Sequence, residues 1–248
     1  MKKHINICVL LIVFISTIGI ASAIPANDNA QADEHKPIIT IEDPVRGIAK
    51  AEFIHKEKVN KKITASIVPD SGICWGTFAT WDANTPVNYV INTKNRQKLS
   101  ATFITSTIFA SAETWDIETG TELFSNTYTI SPIVRYGRFD GKNAIVLDTA
   151  PVGTIAVTSI WYYTISKQIV EFDIKFNTNY KWGDAVVNPA VMDLQDIATH
   201  ELGHGVGLND MYNGACNQVT MYGYGSYGEI IKRTLEAPDI EGLLSLYT

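Results

Sequence analysis

Thr199-His200-Glu201-Leu202-Gly203-His204-Gly205-Val206-Gly207-Leu208-Asn209-Asp210 holds the two histidines four residues apart that organise the whole chain. Residues at that spacing share one face of a helix, so both imidazoles can reach a single Zn²⁺. Glu201, next to His200, is placed to take a proton from an attacking water rather than to bind the metal. The H-E-x-x-H pattern arises by chance on the order of once in a few hundred chains of this length, so a core helix that happens to carry two histidines is the weaker reading. Glycine is unfavourable inside helices by about 1 kcal/mol relative to alanine. Gly203, Gly205 and Gly207 nevertheless cluster here, which predicts close packing around a site and a sharp exit. A positive φ at Gly207 would swing the chain back so that Asp210 meets the metal. Carboxylate oxygen is a normal zinc donor. The alternative third ligand is Glu229 on a later element. The only other histidines, His4, His35 and His55, lie well upstream of the expected catalytic domain.

The helix carrying the motif is expected over 189–205, with Val191, Leu194, Ile197, Ala198 and Leu202 on its apolar side. An earlier helix is expected over 99–115, where Phe103, Ile104, Ile108, Ala112 and Trp115 recur at helical intervals and Thr119-Gly120 offers a stop. A third, shorter one is expected over 238–247, with Pro238 early in its first turn, where a missing N–H costs little. Between the first two, β-rich runs at 123–133, 144–147, 154–164 and 169–176 are separated by Asp140-Gly141 and Pro151-Val152-Gly153, and 87–92 is expected to be a strand entering the core.

The 248 residues suffice for one good-sized catalytic domain, placed here at 71–248. Residues 1–23 run from Lys2 and Lys3 through an apolar stretch to Ala21-Ser22-Ala23, the zones of a secretory signal peptide. Secretion and no stable membrane insertion after cleavage are therefore expected. Residues 24–70 mix charges of both signs with several prolines, keep no helical or strand period for long, and read as a propeptide or N-terminal extension. Loss of Lys2 and Lys3 would take the net charge of −6 two units further negative, and an acidic surface argues against a nucleic-acid partner. It would also remove Cys8, leaving Cys74 and Cys216 as an expected disulfide in an oxidising compartment.

With these residues in view, the chain resembles a matrixin-type metzincin over roughly residues 81–247. Val219-Thr220-Met221-Tyr222 resembles the family's methionine turn, and residues 235–247 its closing helix, although Pro238 stands where an acidic residue is usual. Residues 153–158 resemble the edge strand that pairs with extended substrate, and 170–177 the strand before the active-site helix. Histidine is commoner than aspartate at the position of Asp210. The resemblance implies an α/β fold: a twisted mixed sheet, mostly parallel, with two long helices, and a small C-terminal subdomain ending in a helix. It implies a monomeric endopeptidase acting on extracellular proteins or peptides, with His200, His204 and Asp210 on catalytic Zn²⁺, Glu201 as general base and Met221 beneath the metal. A secreted zinc-binding or adhesive domain without turnover is the rival class. Tyr222, Tyr224 and Tyr227 are candidate lining residues. Asp140-Gly141-Lys142-Asn143 is a candidate Ca²⁺ loop, with a plain turn as the alternative. The family also suggests a second role for Cys74, as a thiolate on the zinc, but Ser71-Gly72-Ile73-Cys74-Trp75 lacks the expected Pro-Arg-Cys-Gly context.

Overall fold

A computed structural model of the chain describes residues 36–58, 74–82 and 84–247; the expected signal peptide lies outside the described residues. Three helices form. Helix α1 (Ala101–Thr119) begins where the Ser100 side chain accepts from the Phe103 N–H and ends where Gly120 turns left-handed, so both of its stops are local. Helix α2 (Leu194–Gly205) starts five residues later than the periodicity suggests. Its cap is Asp193, which accepts from the Asp196 N–H, and Met192 is held in a two-residue parallel pairing with Trp182 between β8 (Trp182–Gly183) and β9 (Met192–Asp193). Helix α3 (Ala237–Tyr247) closes the domain.

With β1 spanning Ile38–Asp43 and β2 Ile48–Glu57, the main sheet runs β1-β2-β6-β7-β5-β3-β4, the other strands being as follows. Strands β3 (Tyr89–Asn92), β4 (Thr129–Ile130), β5 (Asn143–Asp148) and β7 (Ile169–Asn177) are joined in parallel pairs. Strand β6 (Thr154–Tyr163) is antiparallel to β7, as expected of a mixed α/β sheet. The run at 123–133 is mostly not a strand. The buried Asp116 carboxylate at the end of α1 accepts from the N–H groups of Leu123 and Phe124, so that end of the run makes an isolated bridge, Phe124 with Val87, and Thr129–Ile130 is the stretch paired as a strand.

The described part of the N-terminal segment, residues 36–58, holds strands that the sequence reading did not mark. Within them, β1 (Ile38–Asp43) and β2 (Ile48–Glu57) form an antiparallel hairpin, and β2 pairs along the length of β6, from Ile48 opposite Tyr163 to Lys56 opposite Thr154. The reason is a period of two: Ala49, Ala51, Phe53 and His55 are buried, whereas Lys50, Glu52, Ile54 and Lys56 are half-exposed. Two of the inward positions are alanine and one is histidine, so the apolar alternation is faint in the sequence. As a result β6 is not the free edge that residues 153–158 were expected to provide.

One continuous apolar core lies between the sheet and the helices. Trp115, fully buried on α1, donates its indole N–H to the Thr199 carbonyl of α2 at 2.9 Å. That bond satisfies the polar edge of a large core side chain and fixes α2 against α1.

Candidate metal centre

Two glycines set the path through the motif. An added Cβ at Gly203 would lie 2.3 Å from Met221 Sδ and 2.7 Å from the Trp115 ring, so the helix can rest on Met221 only without a side chain there. Gly207 has φ +104°, and a Cβ would stand 2.0 Å from the Ala79 carbonyl oxygen; this is the reversal expected after His204. Gly205 differs, since nothing lies within 3.6 Å of a Cβ there and no close approach requires it.

The reversal carries Asp210 back to the two histidines. Asp210 Oδ1 lies 3.2 Å from His200 Nε2 and 3.5 Å from His204 Nε2. Two donors on a tetrahedral zinc with bonds of 2.0–2.1 Å stand about 3.3 Å apart, so the spacing suits a shared ion. Each imidazole is fixed from behind: Nδ1 of His200 bonds to the Thr220 carbonyl at 2.7 Å and Nδ1 of His204 to the Leu208 carbonyl at 2.8 Å. A carbonyl can only accept, so the proton sits on Nδ1 and the Nε2 lone pair is directed at Asp210. Both Nε2 atoms and Asp210 Oδ1 are buried without a hydrogen-bond partner. Buried polar atoms are seldom left so; three of them converging form a donor set that suits a cation. Tyr212 Oη donates to Asp210 Oδ2 at 3.0 Å and orients the carboxylate. Burial alone would raise the Asp210 pKa, but His204 and His200 beside it, in their protonated forms, hold the carboxyl well below its usual range.

Glu201 is fully buried. Its Oε2 accepts from the Thr158 hydroxyl on β6, while Oε1 has no hydrogen-bond partner. Burial pushes this carboxyl up to about 8, against the pull of His204 and the Thr158 hydroxyl; a cation on the adjacent ligands would draw it down again. Met221 is held by the Asp239 carboxylate of α3, which accepts from the N–H groups of Thr220 at 2.8 Å, Met221 at 3.0 Å and Glu236 at 3.0 Å.

Glu229, the alternative ligand, is engaged elsewhere: it pairs with the buried Lys232 ammonium at 2.6 Å and accepts from Ser226 Oγ. Tyr222 is buried, Tyr224 enters the short strand β10 (Tyr224–Gly225), and Tyr227 packs beside Tyr180. Cys74 and Cys216 are joined by a disulfide, so Cys74 offers no thiolate to the site. In the loop at 137–144 the Asp140 carboxylate pairs with Lys142, and the backbone N–H groups of Gly137, Arg138 and Ala144 go to Asp173 and those of Asp140 and Gly141 to Glu171. Among the described residues, the groups of three or more His, Cys, Asp or Glu side chains close enough to share an ion are both at this centre.

One of those groups includes His55, which the sequence placed far from the site. Its ring stands edge-on to His200 with centroids 4.0 Å apart, and its Nδ1 is 3.7 Å from Glu201 Oε1. Phe53, two residues earlier, stacks on His204 with centroids 4.1 Å apart. The alternation of β2 was the available signal for both. Thr158, Tyr212 and Asp239 were also missed, and of these only Asp239, an acid opening an apolar helix, stood out locally.

A search of curated proteins finds no match. The family model described as matrixin matches residues 73–248.

Proposed function

The chain belongs to the matrixins, a family of zinc-dependent endopeptidases, and on that premise we propose that it is exported and hydrolyses extracellular protein or peptide with Glu201 as the general base. The observation that carries this reading is the convergence of His200 Nε2, His204 Nε2 and Asp210 Oδ1, buried, unpartnered and 3.2–3.5 Å apart on two pairs, with Glu201 beside them. These three atoms are the residues that would hold zinc. When bound there, the ion supplies Lewis acidity, lowering the pKa of water towards neutrality and polarising a carbonyl.

The chain's own groups do the rest. Glu201 Oε1, the unpartnered oxygen, takes the proton of the attacking water and afterwards delivers it to the leaving amine; Thr158 keeps Oε2 occupied so that Oε1 faces the reaction. Thr220 and Leu208 hold the imidazoles in the ligating tautomer. A structural metal site closes its fourth position with a protein ligand and needs no base, so Glu201 favours turnover over a purely binding domain. Export rests on the lysine, apolar and Ala-Ser-Ala zones of residues 1–23; no helix among the described residues is long and apolar enough to cross a membrane.

The test is hydrolysis of unfolded casein by zinc-loaded protein, assayed intact and after limited tryptic cleavage. Chelator-sensitive cleavage is expected. Glu201→Ala should keep the zinc and lose about two orders of magnitude or more in rate. Substantial activity in that variant would overturn the mechanism, and no hydrolysis by any zinc-loaded form would overturn the enzyme assignment.

A further inference from the structure

The two ends of the main sheet differ. Strand β4 at one end has 2 residues, whereas β1 at the other has 6, and among the described residues no strand lies beyond it. Long edges are usually blunted by lysine or proline, and Ile38-Ile39-Thr40-Ile41-Glu42-Asp43 holds neither. Instead Ile38, Ile39 and Ile41 are 52%, 58% and 62% exposed. The irregularity in the pairing of β1 with β2 falls between Ile41 and Asp43, so the stretch before it is a straight, unprotected edge.

Bonds at the ends of β2 fix which backbone groups of that edge are open. Gly47 accepts from the Thr164 N–H and Glu57 donates to the Gly153 carbonyl, both towards β6, whereas Lys56 and Lys58 donate the other way, to Gly223 and Gly225. Odd-numbered residues of β2 therefore bond to β6 and even-numbered ones to the opposite side. Glu52 and Lys50 lie opposite Ile38 and Thr40, so those two residues of β1 bond inwards. The N–H and C=O groups of Ile39 and Ile41 point out of the sheet.

We propose that β1 pairs antiparallel with β1 of a second copy of the chain, about a twofold axis at Thr40, joining the two main sheets into one. In that register Ile39 faces Ile41 of the second copy, and the two outward residues of each strand exchange all their bonds, four by symmetry. Ile39 and Ile41 lie opposite Ala51 and Ala49 and so share one face of the sheet; across the axis their side chains form a cluster of β-branched pairs. Neighbouring registers lose this match. A slip of one residue sets outward groups against inward ones. Centring on Ile39 puts Ile41 opposite Pro37, which has no N–H to donate, and centring on Ile41 puts Ile39 opposite Asp43, beyond the irregularity. The complement that β1 requires is thus its own sequence. Its inner side is taken by β2, so the assembly closes at two copies. The pairing uses none of the metal ligands and stands apart from the peptidase reading.

The test is sedimentation velocity of the full chain over about 1–100 µM, with Cys8→Ser removing the thiol outside the Cys74–Cys216 bridge. An interface made by one strand is at the small end of the protein range, so a dimer dissociating at about micromolar concentration is expected. Ile39→Pro deletes an N–H that points away from β2 and is tolerated in an edge strand; by symmetry it removes two of the four bonds and should raise the dissociation constant at least about 30-fold. Ile41→Lys keeps the backbone, brings two ammonium groups into the cluster, and should weaken the dimer as much. Thr40 meets its own counterpart as a non-hydrogen-bonded pair, with Cα atoms about 4.5 Å apart, within reach of a disulfide. Thr40→Cys should therefore give a covalent dimer on mild oxidation, while Glu42→Cys, four residues along the strand from its counterpart, should not. A chain that stays monomeric at about 100 µM, a dimer of wild-type strength in Ile39→Pro or Ile41→Lys, or equal cross-linking of the two cysteine variants would overturn the proposal.

Discussion

Asp239 offers the sharpest test of how the metal centre is supported from below. Its carboxylate is buried, accepts three backbone N–H bonds, and ties α3 to the turn that carries Met221 and the Thr220 carbonyl behind His200. Asp239→Ala leaves three N–H groups without a partner, each worth about 1–3 kcal/mol where water cannot reach. Part of that is offset because the wild type buries a carboxyl, a cost visible in a pKa pushed up to about 6 by burial. The expected net loss is about 3–5 kcal/mol, the range of the most damaging single changes. Asp239→Asn keeps the shape and one accepting oxygen, which serves Thr220 and Glu236 but turns an N–H towards the N–H of Met221; about 1–3 kcal/mol is expected. Urea unfolding of zinc-free protein, disulfide intact, reads both, with midpoints shifting at constant slope. Zinc affinity of Asp239→Asn should fall about 10- to 100-fold, the usual effect of disturbing the partner of a ligating histidine. Both variants lying within 1 kcal/mol of wild type would refute the idea that this carboxylate holds the turn.

The neighbouring features predict as follows. Asp210→Ala should release zinc while Asp210→His retains it and Glu229→Ala has little effect, by metal analysis after dialysis; zinc loss confined to Glu229→Ala would show that the ligand set is wrong. Gly207→Ala combines φ +104° with a Cβ 2.0 Å from a backbone oxygen and should cost at least about 3 kcal/mol, whereas Gly205→Ala should stay within about 1 kcal/mol; thermal melts that rank them the other way would contradict the geometry. The Cys74–Cys216 bridge spans 142 residues, for which chain entropy gives about 5 kcal/mol, so the double alanine variant should unfold at much lower urea, and an unchanged midpoint would count against that account. Burial raises the Asp196 pKa from 3.8 to about 6 against the pull of Lys232. Between those values the folded state therefore binds more protons, and the Asp196 contribution, full below about pH 4, is lost as pH rises through 6. The stability of wild type relative to Asp196→Asn should fall by up to about 3 kcal/mol from pH 4 to 7, and parallel pH profiles would sink the assignment.

The sequence alone determined the features that depend on near neighbours in the chain. The helix bearing His200 and His204 follows from their spacing and the apolar residues around them, and the reversal at Gly207 from a residue that tolerates positive φ. The stop of α1 at Thr119-Gly120 was legible as well, because a left-handed glycine acts within one turn. The pairing of Cys74 with Cys216 was readable because the expected loss of Cys8 left only those two thiols in the exported form. What only the tertiary structure decided are bonds between residues far apart in the chain. Asp116 takes the N–H groups of Leu123 and Phe124 at the start of a run expected to be one long strand; Asp239 holds the turn at Thr220 and Met221; Thr158 sits on Glu201. The placement of residues 48–57 belongs with these. Alanine and histidine alternating with charged residues give too weak an apolar signal to mark a buried strand. Its burial comes from the groove that β6, β10 and the two histidines present, a surface that exists only once the rest of the chain has folded.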